Sequence, residues 1–224
     1  MTSQHLKTDA LLALDTSTDQ AGVAVRCGNQ IASLAWRAGR NHTVQLLDQV
    51  HRLLGLAGLE PGELAGIAVA TGPGAFTGLR VGMSVAKGFC LALDLPIVGV
   101  STLAAAAASA LAVDRPTVAA VAAGRGRLAW AVYDRGVTGE PVEIVGPVNG
   151  TPAELAEVVA SLGQPVLTGE LGEDDGLFRQ AGALLVATDL RPRRPEALLA
   201  LAVPRFAAGD VDDPITLEPV YLGR

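Results

Sequence analysis

Two cysteines, three histidines and two lysines are all that these 224 residues hold of three side chains on which much protein chemistry rests. Cys27 and Cys90 stand far apart among apolar neighbours, with no CxxC and no histidine at ligand spacing, so both read as buried, reduced thiols of a cytosolic protein. The histidines are His5, His42 and His51. The last two are nine residues apart on one expected helix, which sets them on different faces and excludes a metal pair. No serine has a well-placed histidine and acid, and G-x-S-x-G is missing, so nucleophilic hydrolysis lacks support. With lysine confined to Lys7 and Lys87, arginine carries the positive charge, and 17 basic against 23 acidic residues leave a net charge of -6. That balance argues against a surface dominated by phosphate contacts; if nucleic acid is involved, another subunit supplies most of the positive field. The apolar run 10–14 is too short for a signal peptide. The uncharged stretch 95–113 is divided by Pro96 and Gly99 into a strand and an alanine-rich helix, so a soluble cytoplasmic chain with no membrane segment is expected.

What the sequence has in quantity is small and apolar residues. They make up half of the chain, enough for one large domain or two small ones. The densest stretch, 65–94, opens as a buried strand around Ile67 and Val69 and breaks at Thr71-Gly72-Pro73-Gly74, a turn too tight for bulky side chains. It resumes as a helix, with Thr77 as the expected cap and Leu79, Val81, Met83, Val85, Phe89, Leu91 and Leu93 along it. Unpartnered N–H groups at such a helix start attract anions, which makes 72–78 either a phosphate site or a plain tight connection. Neither familiar phosphate loop fits. Gly78 is followed by Leu79-Arg80 where a P-loop needs lysine and a hydroxyl, and Gly74 and Gly78 enclose three residues where the dinucleotide fingerprint needs two. Gly78, Gly82 and Ala86 recur every four residues and leave a stripe almost bare of side chains. A second helix can approach such a stripe, from within the domain or from another subunit.

In chain order, the patterns give strands at 10–15, 21–27 and 31–36, a helix at 42–56 capped by Asn41, the central strand and helix, a strand at 97–100 and a helix at 102–112 capped by Ser101. The same order returns after Arg115-Pro116: strands at 117–123, 127–134 and 142–145, a helix from Thr151-Pro152 to 161, then short strands and helices ending with 195–208. The fold expected is therefore α/β with two similar lobes, 10–114 and 115–224, each βββαβαβα. Asp15, with Thr16, Ser17 and Thr18, ends the first strand, where an open α/β sheet presents ligand contacts. It is a candidate for magnesium and phosphate, or an ordinary strand-end turn. The matching clamp from the second lobe, 122–127, has glycines but no acid. Arg191, Arg193 and Arg194, flanked by Pro192 and Pro195, form the one basic cluster, read as a solvated connection or as a tRNA backbone contact.

Five segments carry a family resemblance: LLALDTSTDQAGVAV (11–25), RNHT (40–43), TGPGAFTGLRVGMSVAKGF (71–89), LPIVGVSTL (95–103) and EPVYL (218–222). The chain resembles the TsaB (YeaZ) family, the dimerization subunit of the bacterial tRNA threonylcarbamoyladenosine machinery. The resemblance implies an actin-like, two-lobed ASKHA (ribonuclease H-like) fold and a non-catalytic subunit. It implies as partners the catalytic paralogue TsaD, which modifies the adenosine beside the anticodon, and the small ATPase TsaE, with tRNA reached through the complex and a homodimer open to the isolated chain. Pairing through the first-lobe helices would use Arg40, His42, Leu46, Thr77, Gly78, Gly82, Val85, Ala86 and Phe89. A nucleotide or phosphate would meet Asp15, Thr16, Ser17, Gly72 and Gly74, although no cofactor is expected to bind this chain tightly and ATP with magnesium belongs, if anywhere, at a subunit boundary. The alternatives are a stand-alone ATP-dependent kinase or transferase of the same superfamily and a glycoprotease-like peptidase. The sequence departs from the family at Ala122-Ala123-Gly124, where Asp-Ala-Arg is usual; Arg125 is placed to replace the arginine.

Overall fold

The computed structural model describes residues 9–39, 42–112 and 114–223, with the His42 side chain outside that description. The first five strands are β1 (Ala10–Asp15), β2 (Gln20–Cys27), β3 (Gln30–Arg37), β4 (Leu64–Gly72) and β5 (Ile97–Ser101), in the order β3-β2-β1-β4-β5. β1 to β3 form an antiparallel meander, and β4 and β5 extend it in parallel, with Leu12 opposite Ile67 and Ile67 opposite Ile97. The second sheet repeats this plan with β6 (Thr117–Ala122), β7 (Leu128–Arg135), β8 (Pro141–Gly150), β9 (Val166–Gly169) and β10 (Leu184–Leu185), in the order β10-β9-β6-β7-β8. With the helices interleaved, each half reads βββαβαβα, the duplicated, actin-like arrangement expected.

The period of two explains why both faces of each sheet are covered. Ala10, Leu12 and Leu14 of β1 point to one face, where α1 (His42–Ala57) packs through Leu46, Val50, Leu53 and Leu54 and α2 (Phe76–Leu93) through Met83, Ala86 and Cys90. Leu11 and Ala13 point to the other face. In the second sheet, Val118, Ala120, Trp130 and Val132 meet α4 (Pro152–Ser161) and α5 (Asp175–Gln180), while Ala119, Val121, Ala129 and Ala131 meet Leu103, Ala106 and Ala107 of α3 (Thr102–Ala108). α6 (Glu196–Ala208) lies against the first sheet through Ala197, Leu198, Leu199 and Ala202. The molecule is thus a stack of five layers: α1 and α2, the first sheet, α3 and α6, the second sheet, α4 and α5.

Several expectations change. The division at 114/115 separates the two sheets, but α6, assigned with 115–224, returns to the first lobe, because β1, β2, β4 and β5 need cover on their inner face and α3 sits mainly on the second sheet. Thr77 is not the cap of α2: the helix starts one residue earlier, with Ala75 as a cap that makes no side-chain bond, and Thr77 lies exposed in the first turn. α3 ends at Ala108, short of 112. Ser101 does cap it, its Oγ accepting from the Ala104 N–H at 3.3 Å, and Thr151 caps α4 in a reciprocal box with Glu154. Asn41 lies outside the described residues.

Candidate functional site

Three segments converge where the two sheets face each other: the end of β1 with residues 15–18, Glu170 just after β9, and Arg193 just before α6. Arg193 is buried, and its guanidinium spans the group. Its Nε donates to Asp15 Oδ2 at 3.0 Å, its Nη1 to Glu170 Oε1 at 2.6 Å, and its Nη2 to Thr18 Oγ1 at 2.9 Å and to the Gln20 carbonyl at 3.3 Å. Ser17 donates to Asp15 Oδ1 from its backbone N–H at 2.9 Å and its Oγ at 2.5 Å, while Thr18 Oγ1 donates to Glu170 Oε1 at 2.5 Å. Both Asp15 oxygens are therefore engaged. Burial alone would raise the Asp15 carboxyl, but the Arg193 charge and the Ser17 donors outweigh it and hold the group below its ordinary value. For Arg193 burial works against the charged form, and the facing Asp15 and Glu170 carboxylates keep it protonated.

This geometry tests the magnesium and phosphate reading directly. Asp15, Ser17, Thr18 and Glu170 are the oxygen donors a hard cation takes, yet the guanidinium already occupies the space between the two carboxylates. The glycine turn is tightly packed on its inner side, while Gly74, Ala75 and Phe76 border the interlobe cleft. A Cβ built at Gly74 would stand 2.1 Å from the Ser17 carbonyl oxygen, and that same carbonyl accepts from the Ala75 N–H at 2.6 Å. Gly72, at φ 105°, packs against the Val220 carbonyl. The turn is tight because residue 17 and the closing segment press on it. With the Arg193 guanidinium in place, Asp15 does not fit a magnesium ion. Among the described residues no group of three His, Cys, Asp or Glu could hold a metal ion.

The small-residue stripe is also turned inward. Gly78, Gly82 and Ala86 are buried, Thr16 Oγ1 donates to the Gly78 carbonyl at 2.7 Å, and a Cβ at Gly82 would stand 2.3 Å from that same Oγ1. Leu46 is fully buried beneath α1. These residues, expected at a partner contact, instead hold α1 and α2 on their own sheet. Val85 and Phe89 are half-buried and Thr77 is exposed; Arg40 and the His42 side chain lie outside the described residues. The outer face carries other residues: Val44, Leu47 and Leu56 of α1 and Leu91 of α2 are each more than half exposed, at 74%, 53%, 68% and 72%. Gly88 faces open space.

A family model described as "TsaD: tRNA N6-adenosine threonylcarbamoyltransferase" matches residues 36–165. The tRNA threonylcarbamoyladenosine biosynthesis protein TsaB of Escherichia coli K12 is 30% identical over 227 residues, covering 95% of this chain and 94% of that protein. The chain belongs to the TsaB/YeaZ family. The TsaB of Bacillus subtilis is 34% identical over 171 residues, covering 76% of this chain and 73% of its own. The solved structure "YeaZ from Pseudomonas aeruginosa" superposes with a TM-score of 0.79 at 30% identity, over 96% of this chain and all of that one. For a TsaB/YeaZ chain, the residues that close the interlobe site here include several that sequence reading passed over. Arg191 and Arg193, read as solvated, are buried: Arg191 makes a fork of 2.6 and 2.7 Å on Asp175 and donates from Nε to the Val186 carbonyl at 2.6 Å. Only Arg194 is exposed. Glu170 was not singled out at all. Its one signal in the sequence is its place after β9, the second-lobe counterpart of the strand β4 that leads into the glycine turn.

Proposed function

We propose that this chain is the non-catalytic scaffold of tRNA threonylcarbamoyladenosine formation, pairing through the outer face of α1 and α2 with the catalytic paralogue TsaD, with the small ATPase TsaE as the third member and tRNA reached through the assembly. The observation that carries the non-catalytic reading is the Asp15 carboxylate engaged at both oxygens by Ser17 and Arg193. A group so engaged accepts no substrate proton and coordinates no magnesium, and any ATP and magnesium the assembly uses belong at a subunit boundary away from it. Support for the pairing face is the apolar surface that α1 and α2 leave in water, which would be buried at a net gain of about 25 cal/mol per Å² of apolar area. The isolated chain could use the same face for a homodimer.

The test is co-purification with TsaD and a tRNA modification assay with and without this chain. Leu47→Glu and Gly88→Arg lie where the chain's own fold has room, so they should abolish co-purification and modification while leaving the melting temperature unchanged. Threonylcarbamoylation or ATP turnover by this chain alone would overturn the scaffold reading; undiminished pairing of both variants would overturn the face.

A further inference from the structure

The turn between β6 and β7 and the closing segment of the chain form an open recess of ≈ 470 Å³ lined by Ala123, Gly124, Arg125, Arg127, Asn149 and Leu222. Among the described residues no carboxylate lines it, in a chain whose net charge is -6. Arg127 is held in place rather than neutralised: its Nε donates to Asn149 Oδ1 at 3.1 Å and its Nη2 to the Asn149 carbonyl at 2.7 Å, while Asn149 Nδ2 donates to the Gly223 carbonyl at 3.2 Å. The acid that feels its charge, Glu154, is already engaged by the Thr151 N–H and Oγ. Arg125 is exposed and makes no hydrogen bond or ion pair with the described residues. It stands at φ 53° between Gly124 at 76° and Gly126 at 70°, in a left-handed conformation that a non-glycine residue rarely adopts.

We propose that this cavity binds a phosphate group of an RNA backbone. The inference rests on the functional reading above and deepens it by giving the scaffold its own RNA contact. A guanidinium fixed by neutral partners and a second left without one suit a tetrahedral anion, since arginine presents several donors in one plane to phosphate oxygens. The recess continues into the interlobe cleft of ≈ 1130 Å³, with which it shares Ala123, Gly124 and Arg127; that cleft carries Arg37 and Arg191 together with Asp19, Glu170 and Asp174, so the uncompensated positive charge lies at Arg125 and Arg127. That continuity is what a strand requires and a single free ion does not.

The experiment uses the complex with TsaD, labelled tRNA and a salt series. Arg125→Glu and Arg125→Ala/Arg127→Ala should weaken tRNA binding about tenfold or more and lower the slope of log affinity against log salt by about 1 per arginine removed, while Arg125→Lys retains most of it. Arg125 is exposed and unbonded, so its single variants leave the fold intact, and inorganic phosphate should raise the melting temperature of the isolated wild-type chain but not that of the double variant. Unchanged affinity and slope in a complex that still modifies tRNA would overturn this proposal and leave the scaffold reading standing. A phosphate-induced stabilisation without any RNA effect would overturn RNA as the source. A wild-type complex that neither binds nor modifies tRNA would overturn the scaffold reading itself.

Discussion

Arg193→Met removes the charge at the centre of the interlobe network while keeping most of the side chain's length. Glu170, whose side chain is 26% exposed, can turn toward water, but Asp15, at 5%, cannot. Leaving one partner of a buried pair uncompensated costs about 3–5 kcal/mol. For a chain of 224 residues each kcal/mol moves the melting temperature by about 2–4 °C, so a loss of roughly 6–20 °C is expected at pH 7.

The pH dependence separates this mechanism from a simple loss of packing. In the wild type the Asp15 carboxyl is held below its unfolded value, so its contribution is present above about pH 4 and is lost only as pH falls through the lower, folded value. With Arg193 gone, burial is the largest remaining influence and raises the folded value above the unfolded one. The variant then gains on the wild type as pH falls, because a neutral Asp15 needs no counter-charge. Thermal denaturation at pH 4.5 and pH 7 should show the gap narrowing at the lower pH, and adding Asp15→Asn to Arg193→Met should recover part of the loss at pH 7. A gap of under about 2 °C, or one equal at both pH values, would refute the reasoning.

Gly82→Val should destabilise the chain itself by about 1–3 kcal/mol through overpacking against Thr16 Oγ1, less the roughly 0.5–1 kcal/mol that replacing a helical glycine returns. A denaturant midpoint that does not move, with pairing lost, would instead turn the stripe outward. Asp175→Asn leaves the buried Arg191 without a facing charge and with one acceptor oxygen of the fork in place of two, and because Asp175 is a third exposed the expected cost is about 1–2 kcal/mol. Arg191 holds the Asp175 carboxyl below its ordinary value, so by the same linkage the difference between variant and wild type should shrink as the pH is lowered past about 4. Burial pushes the Cys90 thiol up to about 11, so at pH 8 a thiol reagent should label half-buried Cys27 well before Cys90; equal rates would contradict the packing of α2.

How far the sequence could be read depended on whether a signal was local. β1 is bounded by its own apolar run and by the polar run that follows it from Asp15, and α4 by the Thr151-Pro152 start, so both were legible to the residue. The Gly78-Gly82-Ala86 stripe was legible as a close-contact surface but not as an inward one, because periodicity fixes which residues share a helix face and says nothing of what that face meets. Here it meets Thr16, 62 residues before the Gly78 carbonyl that the hydroxyl bonds. Arg193 was misread for the converse reason. Three arginines between two prolines look solvated, and the carboxylate that draws one of them inside lies 178 positions away.

α6 shows the same limit at the level of layers. Its residues are apolar at most positions, with Pro204 within the helix and little polar face to set its direction. Such a helix belongs between two surfaces. It packs on the first sheet and on α3, which carries the contact to the second sheet, while the Asp15-Arg193-Glu170 network just ahead of α6 ties the lobes a second time. The two ties together fix the angle between the sheets more firmly than either alone. An enzyme that opens and closes around a nucleotide needs that angle to vary, whereas a subunit that presents α1 and α2 to a partner needs it constant. The buried arginine between Asp15 and Glu170 is therefore the feature of the architecture on which the scaffold role proposed above most directly rests.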